Sequence, residues 1–304
     1  MGRFTHGRRI GGVIDIPVEL AETQSKFFGE AGRAFIRALP GRAADFLQRW
    51  ELRLTGPSMH GMCALVLPVE CADGTPAMLK LQYLDGESDG EPVALRVWDG
   101  DGAVRLLRSD DVTGTMLLER LHTRDLNGVD SREAVRILAE LLAHLTAFEA
   151  PPGMRTLGDI AARMIDDVPL VSKSLPDESE RRLLRDCAAA LREVADEPGD
   201  RLLHWDLHYE NVLASDREPW LAIDPKPLAG DPGFDLMPAL DNRFDASETL
   251  WRFDLMTETL GLDRERARAW TLGRVLQNSL WHVLDGERSL DPDQVSIARS
   301  LLAP

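Results

Sequence analysis

Cysteine is scarce in this chain. There are three in 304 residues, Cys63, Cys71 and Cys187. The number is odd and no two stand in C-x-x-C spacing, which argues against a disulfide-framed secreted domain and against a cysteine-built zinc site. A reducing cytoplasm is the expected compartment. Long apolar runs are missing too. None approaches the ~20 residues of a membrane span, and the basic N-terminus MGRFTHGRRI has no apolar stretch behind it, so neither a membrane anchor nor a signal peptide is expected. Positive charge is in deficit, with 35 Lys and Arg against 51 Asp and Glu and a net charge of −16. That balance repels nucleic-acid phosphates. It suits a cationic small-molecule partner, and it suits plain solubility equally well. Repeats and low-complexity linkers are absent, and a monomer is expected. Lysine is rare, at positions 26, 80, 173 and 226 only. Where arginine serves for most positive charges, a retained lysine marks a place for a compact point charge.

What the chain does have is the run LLHWDLHYENVLA at 202–214, followed by WLAIDPKP at 220–227. Leu202–Leu203 and Val212–Leu213 read as short apolar strands with an exposed polar loop between them, and Leu221–Ile223 as a third strand ending on Asp224. Asp206, Asn211 and Asp224 are thereby delivered to one point. Phosphoryl transfer from ATP needs such a set: one group to orient the attacking hydroxyl and two oxygen donors for magnesium. Magnesium takes oxygen ligands and few carboxylates, which fits Asn211 and Asp224. Asp206 is then left to accept a hydroxyl proton.

The order of elements points to two lobes. Residues 17–51 read as a helix with Leu20, Phe27, Phe28, Ala31, Phe35 and Leu39 as its apolar positions and a break at Pro40–Gly41. Strand-like runs follow at 52–55, 62–70 and 76–83, then a short helix at 91–98, then strands near 103–107 and 115–119. Beyond Leu121 the pattern is helical. Residues 131–150 place Val135, Leu138, Leu142, Leu145 and Phe148 on one stripe, with Ser131 as N-cap and PPG at 151–153 as the stop. Residues 177–196 form a second amphipathic helix, and 245–303 returns to helix after the hairpins.

The segment His204 to Asn211, H-x-D-x-x-x-x-N, resembles the catalytic loop of the aminoglycoside phosphotransferase family, relatives of the protein kinases. I-D-P at 223–225 resembles that family's counterpart of the kinase D-F-G. AGDPGFDLMPAL at 229–240, ALRVWDGDGAVRLL at 94–107 and LLERL at 117–121 are similar to its streptomycin 6-kinase and hydroxyurea kinase branch. Several ordered segments agree, from about Gly56 to Asp241. The resemblance implies an α+β, bilobal protein-kinase-like fold with a small antiparallel-sheet N-lobe and a larger, mostly helical C-lobe. The expected divisions are 1–118 for the nucleotide-binding lobe with its helical extension 17–51, 119–122 for the hinge, and 123–304 for the catalytic and substrate-binding lobe.

The implied activity is ATP- and Mg2+-dependent transfer of the γ-phosphoryl group to a hydroxyl of an aminoglycoside, streptomycin first. Hydroxyurea, an endogenous amino sugar or another small metabolite is the alternative acceptor. Lys80, in the strand-like PAMLKLQ, resembles the kinase lysine on the α- and β-phosphates. Lys226 reaches either a phosphate or an ion pair in its own loop. Glu91 is either the partner of Lys80 or a local cap, since Ser88 precedes it at capping-box spacing. Gly56, Ser58 and Gly61 belong either to a divergent phosphate-covering loop or to an ordinary hairpin turn. Glu119 to Leu121 would form the hinge, where adenine meets backbone groups. A cationic acceptor needs carboxylates, and Asp241, Asp245, Asp254, Glu258 and Asp285 lie on the C-terminal helices with Trp281 on the same wall. Each of these reads equally as a solvated helix residue. His204 reads as structural, His208 as a substrate contact or an exposed loop residue, and Asp231 and Asp235 as helix caps bonded to the catalytic loop. Two rival readings use the same residues. In one, His204, Asp206 and His208 ligate zinc in a hydrolase, which leaves Asn211 and Asp224 idle. In the other, an inactive kinase-like binding protein would have lost the base, a metal ligand or the lysine, and all four residues are present.

Overall fold

A computed structural model describes residues 14–303; the stretch read as a basic N-terminus lies outside the described residues. The chain divides into two compact units, Met1–Asp85 with Leu106–Arg120, and Gly86–Arg105 with Leu121–Pro304. The division differs from the expected one in that 86–105 joins the larger unit.

The smaller unit opens with α1 (Val18–Arg49). The expected break at Pro40–Gly41 does not occur. Pro40 sits on the exposed face, where the carbonyl it leaves without a partner can meet solvent. The helix kinks instead at Gly29, whose φ of 55° and ψ of −127° a residue with a Cβ would rarely adopt. The kink re-phases the apolar stripe, so Phe27 and Ala31 are exposed. It also brings Phe28 and Phe35 to 4.4 and 5.7 Å from the Tyr83 ring. An antiparallel sheet follows, built of β1 (Arg53–Leu54), β2 (Met59–His60), β3 (Ala64–Glu70), β4 (Pro76–Gln82), β5 (Leu106–Asp110) and β6 (Thr115–Glu119). Its order is β1-β3-β4-β6-β5, with β2 beside β3. The register Leu65↔Leu81, Leu67↔Leu79 and Val69↔Ala77 places these residues on one face, where Leu20, Phe35, Leu39 and Phe46 of α1 cover them. Each fully buried Leu or Phe contributes about 1.5–3 kcal/mol there. The two-residue period of a strand turns Val66, Lys80 and Met116 to the other face in one cross-strand row. Lys80 is buried, with 5% exposure.

The larger unit holds α2 (Glu91–Trp98). Trp98 explains its allegiance: Nε1 donates to Leu145 O at 3.1 Å and the ring stacks on His204. The strand expected near 103–107 is split for the same reason. Residues 103 and 104 turn to Ala222, to which the Val104 amide donates at 2.9 Å, and β5 begins only at Leu106. The helices are α3 (Ser131–Leu145), α4 (Leu157–Val171), α5 (Glu178–Val194), α6 (Met237–Asp241), α7 (Thr249–Leu260), α8 (Arg264–Leu284) and α9 (Pro292–Leu302). α3 buries Val135, Leu138, Leu142 and Leu145 as its stripe requires. Its cap is Asp130 rather than Ser131, accepting from the amides of Arg132 and Glu133. The helix ends at Leu145, ahead of the PPG stop.

Two small ribbons carry the candidate site. β7 (Arg201–Leu203) pairs antiparallel with β10 (Leu228–Gly230), and β8 (Val212–Ala214) pairs antiparallel with β9 (Trp220–Ala222). The chain passes from β7 to β8 through 204–211 and from β9 to β10 through 223–227. The pairing therefore brings both loops out side by side.

Candidate active site

His204 ties the two loops together. Its Nε2–H donates to Ile223 O at 3.0 Å, and its Nδ1 accepts the Asp206 amide at 3.3 Å. Full burial outweighs the attraction of Asp206 and Asp224 and depresses its pKa to about 4, so the ring is neutral. With both nitrogens engaged, His204 has no lone pair to offer zinc. Among the described residues no group of three His, Cys, Asp or Glu side chains is placed to hold a metal.

The peptide bonds continue the tie. Ile223 N donates to Asn211 O at 2.9 Å and Lys226 N to His204 O at 3.0 Å. Asn211 Nδ2 donates to Asp206 O at 2.8 Å, which spends the amide's nitrogen and leaves Oδ1 as its acceptor. Trp205 and Asp224 both adopt left-handed backbone, with φ of 66° and 56°. Such strain costs about 1–3 kcal/mol per residue and persists only where the surroundings over-determine it. Here they do. Asp235 takes the amides of His204 (2.8 Å) and Trp205 (2.9 and 3.1 Å). Burial pushes its pKa up to about 6 against those amides and Arg274. The guanidiniums of Arg155 and Arg274 both lie over the Trp205 ring, 3.9 and 4.9 Å from its centroid, and Nε1 donates to Gln277. Asp231 caps the turn at Gly233 and pairs with Arg266 at 2.7 Å.

Lys226 takes the ion-pair option of its two readings, with Nζ 2.9 Å from Asp224 Oδ1. Burial alone would lower its pKa, but Asp224, Glu91 and Asp206 together hold it above the ordinary lysine value. Asn211 Oδ1 and the Asp224 carboxylate are hard oxygen donors on neighbouring loops. This set fits magnesium, which binds one or two carboxylates and completes its shell with phosphates and water.

A cavity of about 380 Å3 opens beside Asp206, lined also by His208, Glu210, Asp241, Asn242 and Arg274. Asn211 and Asp224 are not on its lining. His208 stands 4.0 Å from Asp206 Oδ2. Asn242 accepts the Tyr209 amide at 2.7 Å, which fixes the loop from the other side. Larger hollows of about 520 and 420 Å3 lie along α5 and contain none of the expected site residues.

The remaining expected positions scatter. Asp241 borders the cavity and accepts from Gln294 Nε2, and partial burial with Asp291 and Asp293 nearby raises its pKa. Trp281 packs 5.9 Å from Trp205 but is not on the cavity lining. Asp245 closes a turn onto Ser247, and Asp285 is the C-cap of α8; neither borders the cavity. Asp254 pairs with Arg264. Glu91 opens α2 fully buried, behind an N-cap, Gly90, that makes no side-chain bond. Ser58 lies in the loop before β2, Glu119 ends β6, and Leu121 follows, all half-buried. Sequence reasoning missed Arg155, Asn242 and Arg274. Their signal is tertiary, for nothing local to Arg155 in its loop, to Asn242 after α6 or to Arg274 on α8 says which ring or amide it will meet.

The model of the aminoglycoside/hydroxyurea antibiotic resistance kinase family matches residues 49–286. A hydroxyurea phosphotransferase of Kitasatospora aureofaciens is 63% identical, over 97% of this chain and 88% of its own. A streptomycin 6-kinase of Streptomyces glaucescens is 52% identical, over 95% of this chain and 97% of its own. Among solved structures, a thermostable mutant of an aminoglycoside phosphotransferase, in ternary complex with AMP-PNP and hygromycin B, aligns over 86% of this chain and 99% of its own. Its TM-score is 0.58 at 15% identity, a likeness of fold, and the fold is the protein-kinase-like one expected. Since the family match spans most of the chain and takes in both loops, the chain belongs to the aminoglycoside/hydroxyurea antibiotic resistance kinases.

Proposed function

We propose that the protein is an ATP- and magnesium-dependent kinase that phosphorylates a hydroxyl of a small molecule, an aminoglycoside of the streptomycin kind first. The observation that carries this reading is the tie between the loops at 204–211 and 223–227, which gathers Asp206, Asn211 and Asp224 through His204 and backbone bonds. The 52% relative named streptomycin 6-kinase supports the acceptor. The 63% relative named hydroxyurea phosphotransferase favours hydroxyurea as a second acceptor.

Asp206 orients the acceptor hydroxyl and takes its proton as the oxygen bonds to the γ-phosphorus and the bond to ADP breaks. A base of this kind contributes roughly 10²–10⁴-fold. Asn211 and Asp224 would hold magnesium, which neutralises phosphate charge when bound. Lys80 serves the α- and β-phosphates, with Glu91 and Ser58 on the phosphate side, and the backbone at Glu119 and Leu121 meets the adenine. Lys226 holds the Asp224 carboxylate in place.

The test is coupled ADP release from ATP and magnesium against streptomycin, other aminoglycosides, hydroxyurea and simple amino sugars, with Asp206→Asn as control. Turnover with streptomycin or hydroxyurea, lost by at least about 100-fold in the control while ATP still binds, is expected. Equal turnover by the control would remove Asp206 from the role of base. ADP release only with a simple sugar would discard the antibiotic acceptors.

A further inference from the structure

Arg274 stands on α8 with 7% exposure and lines the cavity beside Asp206. Its guanidinium lies 4.9, 5.6 and 5.8 Å from the rings of Trp205, Phe234 and Trp281. Aromatic rings meet a guanidinium through its charge and leave N–H donors unsatisfied. Two of those nitrogens, Nε and Nη1, are sealed from solvent without a hydrogen-bond partner, which leaves Nη2 as the end that can meet the cavity. Among the described residues with such buried orphan atoms, Arg274 alone borders this cavity. A buried cation with unmet donors is expensive to keep unless something else uses it. The fixed planar fork of arginine is made for oxygen acceptors.

The place of the cavity decides which oxygen. Asp206 borders it, while Asn211 and Asp224 do not, so it lies on the acceptor side of the base. We propose that the Arg274 guanidinium, through Nη2, the one nitrogen of its fork not sealed in the cage, binds an oxygen of the acceptor, hydroxyl or carbonyl, and thereby presents the neighbouring hydroxyl to Asp206. This rests on the kinase reading above. It also sets the orientation of a cationic acceptor. An ammonium or guanidinium is repelled by Arg274 and drawn to the carboxylates of Glu210 and Asp241, which border the same cavity. Its oxygen-bearing edge is then the one that faces Arg274.

The test compares Arg274→Met and Arg274→Lys with wild type in thermal midpoint and in the separate KM values for acceptor and ATP. Met keeps the packing volume of the aromatic cage and removes the donors, so the midpoint of the free protein reads the packing and charge contribution of Arg274 separately from its contact with the acceptor. The acceptor KM should rise at least ten-fold with the ATP KM unchanged, and Lys should restore part of the loss. A lowered midpoint with unchanged acceptor KM would make Arg274 a packing residue and overturn the proposal. So would an unchanged midpoint with unchanged acceptor KM. If wild type turns over neither streptomycin nor hydroxyurea, the kinase reading falls on its own. Arg274 is then judged by the thermal shift each compound produces with ADP present. A shift in wild type that Arg274→Met loses supports the oxygen contact; an equal shift, or none in wild type, overturns it.

Discussion

Two backbone amides, those of His204 and Trp205, end on the single carboxylate of Asp235. Trp205 can keep its left-handed φ because that carboxylate accounts for its N–H. Asp235→Ala would leave both amides buried without an acceptor, at about 1–3 kcal/mol each. The variant is expected to lose about 2–4 kcal/mol in urea unfolding and to lose turnover with it, and Asp235→Asn, which still offers one oxygen, to lose less. Unchanged stability in the alanine variant would show that the loop holds its shape by other means. His204 gives a pH signature of definite sign. Its folded pKa of about 4 lies below the ordinary histidine value of 6.5, so the unfolded chain takes up the proton first as pH falls. The neutral ring's contribution is complete above pH ~6.5 and is lost as pH falls towards ~4, by about 3 kcal/mol in all. Asp235, raised to about 6, opposes this over the same range, so the clean measure is a difference. The stability advantage of wild type over His204→Gln in urea unfolding is expected to shrink as pH falls from 7 to 4. A constant advantage would mean that the buried ring takes up its proton as readily as in the unfolded chain.

Most elements were legible because their signals are local. β4 and β6, the helix at 91–98, the stripe of α3 and the two loops at 204–211 and 223–227 follow from alternation, spacing and turn residues. What was not legible depends on contacts between distant segments. Trp98 decides that α2 belongs with the larger unit through Leu145 and His204. A short helix read alone carries no sign of that. The cap of α3 was misplaced by one residue because Asp130 and Ser131 are both capable caps and only geometry chooses. In α1 proline drew attention away from glycine. After the kink at Gly29 the second arm passes so close to the first that a Cβ on Gly32 would stand 2.1 Å from the Gln24 carbonyl oxygen. Gly41, in the same helix and exposed, has open space around it. Gly32→Ala is therefore expected to destabilise by about 1–3 kcal/mol, and Gly41→Ala to stabilise by roughly 0.5–1 kcal/mol. Denaturant midpoints of both variants decide it. Equal effects of one sign would mean that the two arms do not meet as closely as the helix axis implies.

At the scale of the whole molecule, the net charge of −16 acts on every approaching ligand. Its effect differs by acceptor. Streptomycin is a cation and hydroxyurea is neutral, so a negative field raises the local concentration and encounter rate of the first alone. Such steering amounts to about ten-fold or more at low ionic strength, and it fades as the Debye length shrinks from roughly 30 Å at 0.01 M to 3 Å at 1 M salt. Glu210 and Asp241 at the cavity act in the same direction at short range. The expected outcome is that kcat/KM for streptomycin falls by about ten-fold between 0.01 and 0.5 M potassium chloride, with magnesium and ATP saturating, while kcat/KM for hydroxyurea stays within about two-fold. Saturating nucleotide matters, because salt also weakens ATP binding and would otherwise lower both values together. Parallel salt slopes for the two acceptors would mean that the acidic surface serves solubility and that acceptor choice is made entirely inside the cavity.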